Sequence, residues 1–141
     1  MNKVYMTWSD VEQACDQIAV KFREKVDLIV GITRGGLTPA VMLSHRMQLP
    51  MMTCNITTRD GNDVDIDQYI IELSQTSNRI LVVDDINDSG LTIEIVKSHL
   101  LNCSIATLTH KPNTSVYPDQ KDVYSVFESP QSSWVVFPWE V

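Results

Sequence analysis

Arg79-Ile-Leu-Val-Val-Asp-Asp-Ile-Asn-Asp-Ser-Gly-Leu-Thr92 is the stretch on which the fold turns. Residues 80–83 form an apolar, mostly β-branched run of the kind buried on both faces of a parallel sheet. The run stops at two adjacent carboxylates, Asp84 and Asp85. Asn87, Asp88, Ser89 and Gly90 make a small-residue turn, and residues 91–101 read as a helix. Strand, acidic turn, small-residue loop and helix are the layout of a phosphate site in an open α/β sheet. There the first N–H groups of the helix and the positive end of its dipole face an anion. Carboxylates at the C-terminal end of the strand hold sugar hydroxyls or a divalent cation. Three carboxylates would repel a phosphate unless hydroxyls or Mg²⁺ stand between them, so the pattern points to a sugar phosphate.

A second anion cradle lies upstream. Residues 26–32 read as another buried strand, running into Thr33-Arg34-Gly35-Gly36-Leu37. The glycines let the backbone approach a ligand closely, and Arg34 adds a charged donor. Neither the G-x-x-x-x-G-K-[ST] phosphate loop nor the G-x-G-x-x-G dinucleotide fingerprint is present. Two cradles on two strands of one sheet suit a ligand phosphorylated at both ends.

Around these units, Ser9-Asp10-Val11-Glu12 has the form of a capping box, with Trp8 as staple, opening an amphipathic helix over 10–25. Thr38-Pro39 reads as N-cap and first helical residue of a helix reaching residue 47. Residues 50–56, 104–108 and 123–127 read as strands. Residues 57–67 are polar and without periodicity, which predicts a mobile loop, and 69–73 fit either a short helix or a strand. Residues 113–120 read as a turn region. Lys111 follows a strand and precedes Pro112, so its amine should emerge at the same sheet edge. Trp134, in an aromatic tail, is either a core plug or a flat stacking surface. Alternating βα units of this size imply an α/β fold, with a mostly parallel sheet flanked by helices, in a single domain over 1–141.

The totals narrow the class. The 141 residues are 43% hydrophobic and 21% charged, with a net charge of −7. That balance disfavours non-specific nucleic-acid or anionic-membrane binding. No apolar run reaches the roughly 20 residues of a membrane span, and the N-terminus lacks a signal-peptide core. Cys15, Cys54 and Cys103 are odd in number and outside any C-x-x-C pattern, which fits a reducing cytoplasm.

Residues 80–92 resemble the signature of the type I phosphoribosyltransferases, which use 5-phosphoribosyl-1-pyrophosphate (PRPP). Ile32-Thr-Arg-Gly-Gly-Leu37 is similar to their pyrophosphate loop. Tyr5-Met-Thr-Trp8, Thr109-His-Lys-Pro112 and Pro130-Gln-Ser-Ser-Trp-Val-Val-Phe-Pro-Trp-Glu140 resemble the bacterial xanthine-guanine branch. The resemblance implies the type I fold with a flexible loop at about 56–67 and a small C-terminal hood at about 109–141. It implies Mg²⁺ as cofactor, PRPP and a 6-oxopurine (guanine, xanthine or hypoxanthine) as substrates, and a homo-oligomer, dimer or tetramer.

By the same resemblance, Arg34 and Gly35 hold pyrophosphate, and Asp84 and Asp85 face the ribose hydroxyls and Mg²⁺. Asp88, Ser89, Gly90, Leu91 and Thr92 wrap the 5-phosphate, with Asp88 also the general base beside purine N7. Lys111 donates to the 6-oxo group, Trp134 stacks on the ring and the Val135 backbone meets the 2-position. Three positions depart from the family pattern. Thr57-Thr58-Arg59 replaces a Ser-Tyr pair in the flexible loop, leaving Arg59 as its anion contact. Leu91 stands where a second glycine is common, and the chain ends two residues past Trp139, implying a shorter hood. These departures keep open an alternative, a PRPP-binding regulatory protein of the same fold with little or no turnover. A phospho-accepting receiver domain would also place an acidic pair at a strand end, but it has no role for Arg34-Gly-Gly or Trp134.

Overall fold

The computed structural model describes residues 1–59, 63–76, 78–113 and 123–141, without the side chains of residues 58, 59 and 63. Its centre is a five-stranded, wholly parallel sheet in the order β3-β2-β6-β7-β8. The strands are β2 (Leu28–Ile32), β3 (Met51–Cys54), β6 (Ile80–Asn87), β7 (Cys103–His110) and β8 (Val123–Glu128). Side chains alternate across it. Ile29, Leu81, Val83, Ala106 and Leu108 face α1 (Trp8–Phe22) and α2 (Leu37–Met47), against Val11, Ile18, Ala40 and Leu43. Leu28, Val30, Ile32, Ile80, Val82 and Ile105 face Ile70 of α3 (Gln68–Ser74) and Ile93 and Val96 of α4 (Leu91–His99). Burial on both faces is why these strands read as continuous apolar runs.

The chain leaves β2 through α2 to reach β3 on one side, and later returns to lay β6 on the other. The strand order therefore reverses between β2 and β6, and the C-terminal ends of these two strands flank the crevice where open α/β sheets bind ligands. Helix α2 comes down on β2 at Gly31, where a Cβ would stand 2.7 Å from the Cβ of Ala40 and 2.9 Å from the Gly36 carbonyl oxygen. Glycine there lets the helix approach the sheet.

Several expectations need correction. The cap of α1 is Thr7, whose hydroxyl accepts from the Asp10 amide (3.1 Å) while the Asp10 carboxylate accepts from the Thr7 amide (2.8 Å). The Ser9–Glu12 pairing lost because the same box fits two residues earlier, and Trp8 is the first helical residue. Helix α2 starts at Leu37, so Pro39 falls in its first turn, where a missing N–H costs nothing. The stretch 57–67, expected as irregular, carries β4 (Ile56–Arg59) and β5 (Asp63–Ile66). These pair antiparallel, with Ile56 opposite Ile66. Ile56 and Ile66 pack on the β2/β6 core, and this anchors the ribbon despite its polar composition. Residues 60–62 lie outside the described set. The ambiguous stretch 69–73 is helical, within α3. Of the expected turn region 113–120, residues 114–120 are also outside the described set.

Strand β6 runs four residues beyond the apolar run, through Asp84 and Asp85, because β7 beside it is equally long and pairs as far as Asn87↔His110. The C-terminal hood also enlists the N-terminus. Strand β9 (Ser133–Val136) pairs in parallel with β1 (Asn2–Tyr5), and a 3-10 turn, Pro138–Glu140, closes the chain. Phe137 stacks on Trp139 (5.0 Å between centroids), and Trp139 meets Trp8 of α1 at 6.1 Å.

Gly31→Ala should lower unfolding stability by about 1–3 kcal/mol through overpacking. Urea denaturation with an unchanged m-value would show it.

Candidate active site

Both cradles form at the switch point. After β2, the turn Thr33-Arg34-Gly35-Gly36 lies hard against β6. A Cβ on Gly35 would overlap the Asp85 carboxylate, and one on Gly36 would overlap the Val83 carbonyl oxygen. The Thr33–Arg34 peptide is cis. The Thr33 amide donates to Cys54 O (3.0 Å) and its hydroxyl to Asn55 Oδ1 (3.0 Å), tying the turn to the end of β3. Arg34 is exposed, and with Gly35, Asp85, Trp139 and Glu140 it lines an open cleft of about 600 Å³.

The second cradle follows β6. Gly90 caps α4 at φ 90°, ψ −3°, a left-handed conformation that only glycine adopts readily. Ser89 Oγ accepts from the Leu91 amide (3.3 Å), and no side chain caps α4 in the usual way. Beyond the Leu91 amide, the N–H groups of its first turn, with the hydroxyl of Thr92 in the same turn, face the position of an anion. Leu91 is helical and is absent from the positive-φ residues, so a side chain is tolerated where the resemblance led to the expectation of a second glycine.

Between the cradles sit Asp84 and Asp85, both half-buried. Asp84 Oδ1 accepts from the Asp85 amide (2.9 Å) and Asp85 Oδ1 from the Ile86 amide (2.8 Å). Burial holds the Asp84 carboxyl well above the usual carboxylate range, and the neighbouring Asp85 charge adds to the rise. Burial raises Asp85 as well; hydrogen bonds to Asp84 and the Ile86 amide oppose the rise, and the charge of Glu140 reinforces it. No Lys or Arg among the described residues pairs with either acid. A pair of hard oxygen donors kept in a low-dielectric crevice without a protein cation suits a divalent ion that takes one or two carboxylates.

A third subsite opens beside the pair. A cavity of about 140 Å³ is lined by Asp85, Asp88, Lys111, Trp134, Val135 and Glu140, among others. Asp88 is exposed at the end of β6. Lys111 is buried, 3% exposed, at the end of β7. Its amide donates to Asn87 O (3.0 Å), and Nζ donates to Gln131 O (3.2 Å) and Ser133 O. Trp134 is 56% exposed on β9, so it is no core plug, whereas Val135 is buried and its strand is held by β1. An acid, a fixed amine and an exposed indole thus share one small cavity.

A family profile described as phosphoribosyl transferase domain matches residues 5–141. The chain belongs to the phosphoribosyltransferase family. Xanthine-guanine phosphoribosyltransferase of Cereibacter sphaeroides is 32% identical over 118 residues, which are 80% of this chain and 68% of that protein. The crystal structure of a purine phosphoribosyltransferase from Pyrococcus horikoshii superposes with a TM-score of 0.79 at 38% identity, covering 100% of this chain and 96% of that one. The Helicobacter pylori xanthine-guanine-hypoxanthine enzyme, 21% identical with a TM-score of 0.76, covers 99% of this chain and 95% of its own and shares the fold.

Within this phosphoribosyltransferase, the sequence-predicted residues other than Asp84 and Arg59 fall into three groups, and Asp84 lines neither cavity. Arg34, Gly35 and Asp85 meet in the open cleft, and Asp85, Asp88, Lys111, Trp134 and Val135 meet in the small cavity. Ser89, Gly90, Leu91 and Thr92 form the turn and first turn of α4. Arg59 ends β4 opposite Asp63, and its side chain is outside the described set. Sequence reasoning missed Glu140, which borders both cavities, and Trp139, which borders the cleft. The signal was there in Pro138-Trp-Glu140, an aromatic and an acid in an otherwise apolar tail.

Because both folded-state carboxyls are raised, this pair holds more protons in the folded protein than in the unfolded chain. Stability is then lost as pH rises from the unfolded value near 4 through the raised ones. Without divalent cations, Asp84→Asn should raise Tm at pH 7.5 by about 2–4 °C, the shift for about 1 kcal/mol of relief. The gain should vanish below about pH 4, where both states are protonated. Calorimetry across that range checks both signs.

Proposed function

We propose that this chain makes a purine nucleoside 5′-monophosphate and pyrophosphate from PRPP and a 6-oxopurine, in purine salvage. The observation that carries this is the order of subsites at one switch point. An open cleft at Arg34 and Gly35 comes first, then the acid pair, the turn into α4, and a cavity with Asp88, Lys111 and Trp134. A ligand phosphorylated at both ends spans the first three, and a flat base fits the fourth. The purine phosphoribosyltransferase names of its relatives favour turnover over a protein that only binds PRPP.

In this reading the amides of residues 88–92 and the hydroxyls of Ser89 and Thr92 bind the 5-phosphate. Asp84 and Asp85 accept from the ribose hydroxyls. The same two carboxylates would hold Mg²⁺, which supplies neutralisation of the negative charge that builds on the departing pyrophosphate. Arg34 donates to that pyrophosphate from the opposite strand. The C1–oxygen bond breaks with its electron pair going to pyrophosphate, and N9 of the purine forms the new bond to C1. As the base becomes more acidic, the Asp88 carboxylate takes its proton at N7.

Lys111 decides which base is accepted. An ammonium only donates; it pairs with a 6-oxo acceptor and opposes the 6-amino group of adenine. Trp134 offers its half-exposed indole to the ring face, and the Val135 backbone borders the 2-position.

Pyrophosphate release should be seen with guanine, xanthine or hypoxanthine at millimolar PRPP and Mg²⁺, and not with adenine. Absence of turnover with all four bases would overturn the function. Asp88→Asn should lower kcat by about 10²-fold or more while PRPP affinity changes far less. Equal kcat would remove Asp88 as the base.

A further inference from the structure

Lys111 does not stand free in the cavity. Its Nζ carries three donors, and the carbonyl oxygens of Gln131 and Ser133 take two of them. One N–H is left for a ligand acceptor. The direction of that N–H is therefore set by the turn 129–133 and not by the lysine's own flexible stem, whose rotamers would otherwise spread the charge over several positions.

Among the described residues, the turn has few attachments. Internally, Ser133 donates to Pro130 O through its amide (3.0 Å) and its hydroxyl (2.6 Å). On one side Gln131 Oε1 accepts from the Asn113 amide (2.9 Å). On the other, Ser129 is joined to β7 twice. Its amide donates to His110 O (2.9 Å), and its hydroxyl shares a hydrogen bond with the Thr109 hydroxyl at 2.6 Å. Both hydroxyls are buried, Thr109 at 0% and Ser129 at 6% exposure.

A parallel bond lies one pleat below, where the Thr107 and Ser125 hydroxyls meet. Thr107 donates its single proton to Thr109 O (2.9 Å), so Ser125 is the donor in that pair. The end of β7 is thus pinned from within, and Thr109 presents a fixed partner to Ser129.

We propose that Thr109 and Ser129 are positioning residues for purine recognition. Their buried hydroxyl pair staples the turn 129–133 to β7, and the turn aims the last N–H of Lys111 at the 6-substituent of the base. Neither residue touches the substrate. Because β9 begins at Ser133, the same staple sets the height of Trp134 above that N–H. The inference rests on the proposed function and deepens it, because it assigns how the site tells a 6-oxo from a 6-amino purine.

Ser129→Ala should raise KM for guanine and hypoxanthine about fivefold, the effect of losing one hydrogen bond of about 1 kcal/mol. KM for PRPP and kcat at saturating base should stay within about twofold, and the preference for hypoxanthine over adenine should shrink. Ser129→Thr, which keeps the hydroxyl, should restore the wild-type split. Since Ser129→Ala leaves the Thr109 hydroxyl buried and unpaired, the double variant Thr109→Val/Ser129→Ala is the companion. It removes both polar groups, should keep nearly wild-type stability, and should show the same KM split. Unchanged base KM in both variants, or a PRPP KM that rises in step, would overturn the staple. If the unsubstituted enzyme turns over no base, the function falls and this inference with it; if it does turn over, only the staple is at stake.

Discussion

Two adjacent carboxylates held half out of water, with no Lys or Arg among the described residues to pair them, are the constraint around which this molecule is arranged. Burying like charges is unfavourable, and the fold meets that cost only in part, through backbone amides donated to Asp84 and Asp85. The remainder is left for a ligand. Acids whose burial the protein offsets only in part are the kind of perturbed group that marks a functional site.

The geometry around the pair follows from it. The turn after β2 must approach β6 so closely that a Cβ at Gly35 would fall on the Asp85 carboxylate and one at Gly36 on the Val83 carbonyl oxygen. Glycine at these positions is a matter of space, since neither residue has a positive φ. At Gly90 the reason is different, a left-handed conformation that turns the chain into α4 at a cap position with no capping side chain. Two physical demands, close approach and reversed φ, thus place glycines in the two cradles.

The hood shows how a small domain builds a cavity from chain ends. Strand β1 pairs with β9, and the Trp8, Trp139 and Phe137 rings connect α1 to the last turn. Lys111 and Trp134 lie 23 residues apart in sequence and come from a sheet strand and a hood strand. Their shared cavity exists because the turn 129–133 folds back on β7 through main-chain and hydroxyl hydrogen bonds.

By itself the sequence determined the central strand, the acidic turn, both glycine turns and the α/β class. Each of these is local, since apolar runs, adjacent acids and glycine turns act within a few residues. The resemblance carried by those motifs also named Asp88, Lys111 and Trp134, and these do come together. Only the tertiary structure decided how far β6 extends past Val83, because neighbouring β7 supplies its ladder. It also showed residues 56–59 and 63–66 as paired strands, since Ile56 and Ile66 find a core that their polar neighbours conceal. The alliance of β1 with β9, the place of Glu140 on both cavities, and the carbonyl clamp on Lys111 were likewise hidden. Each depends on groups brought together from distant parts of the chain, often through main-chain atoms that every residue carries, and so leaves no mark in residue type.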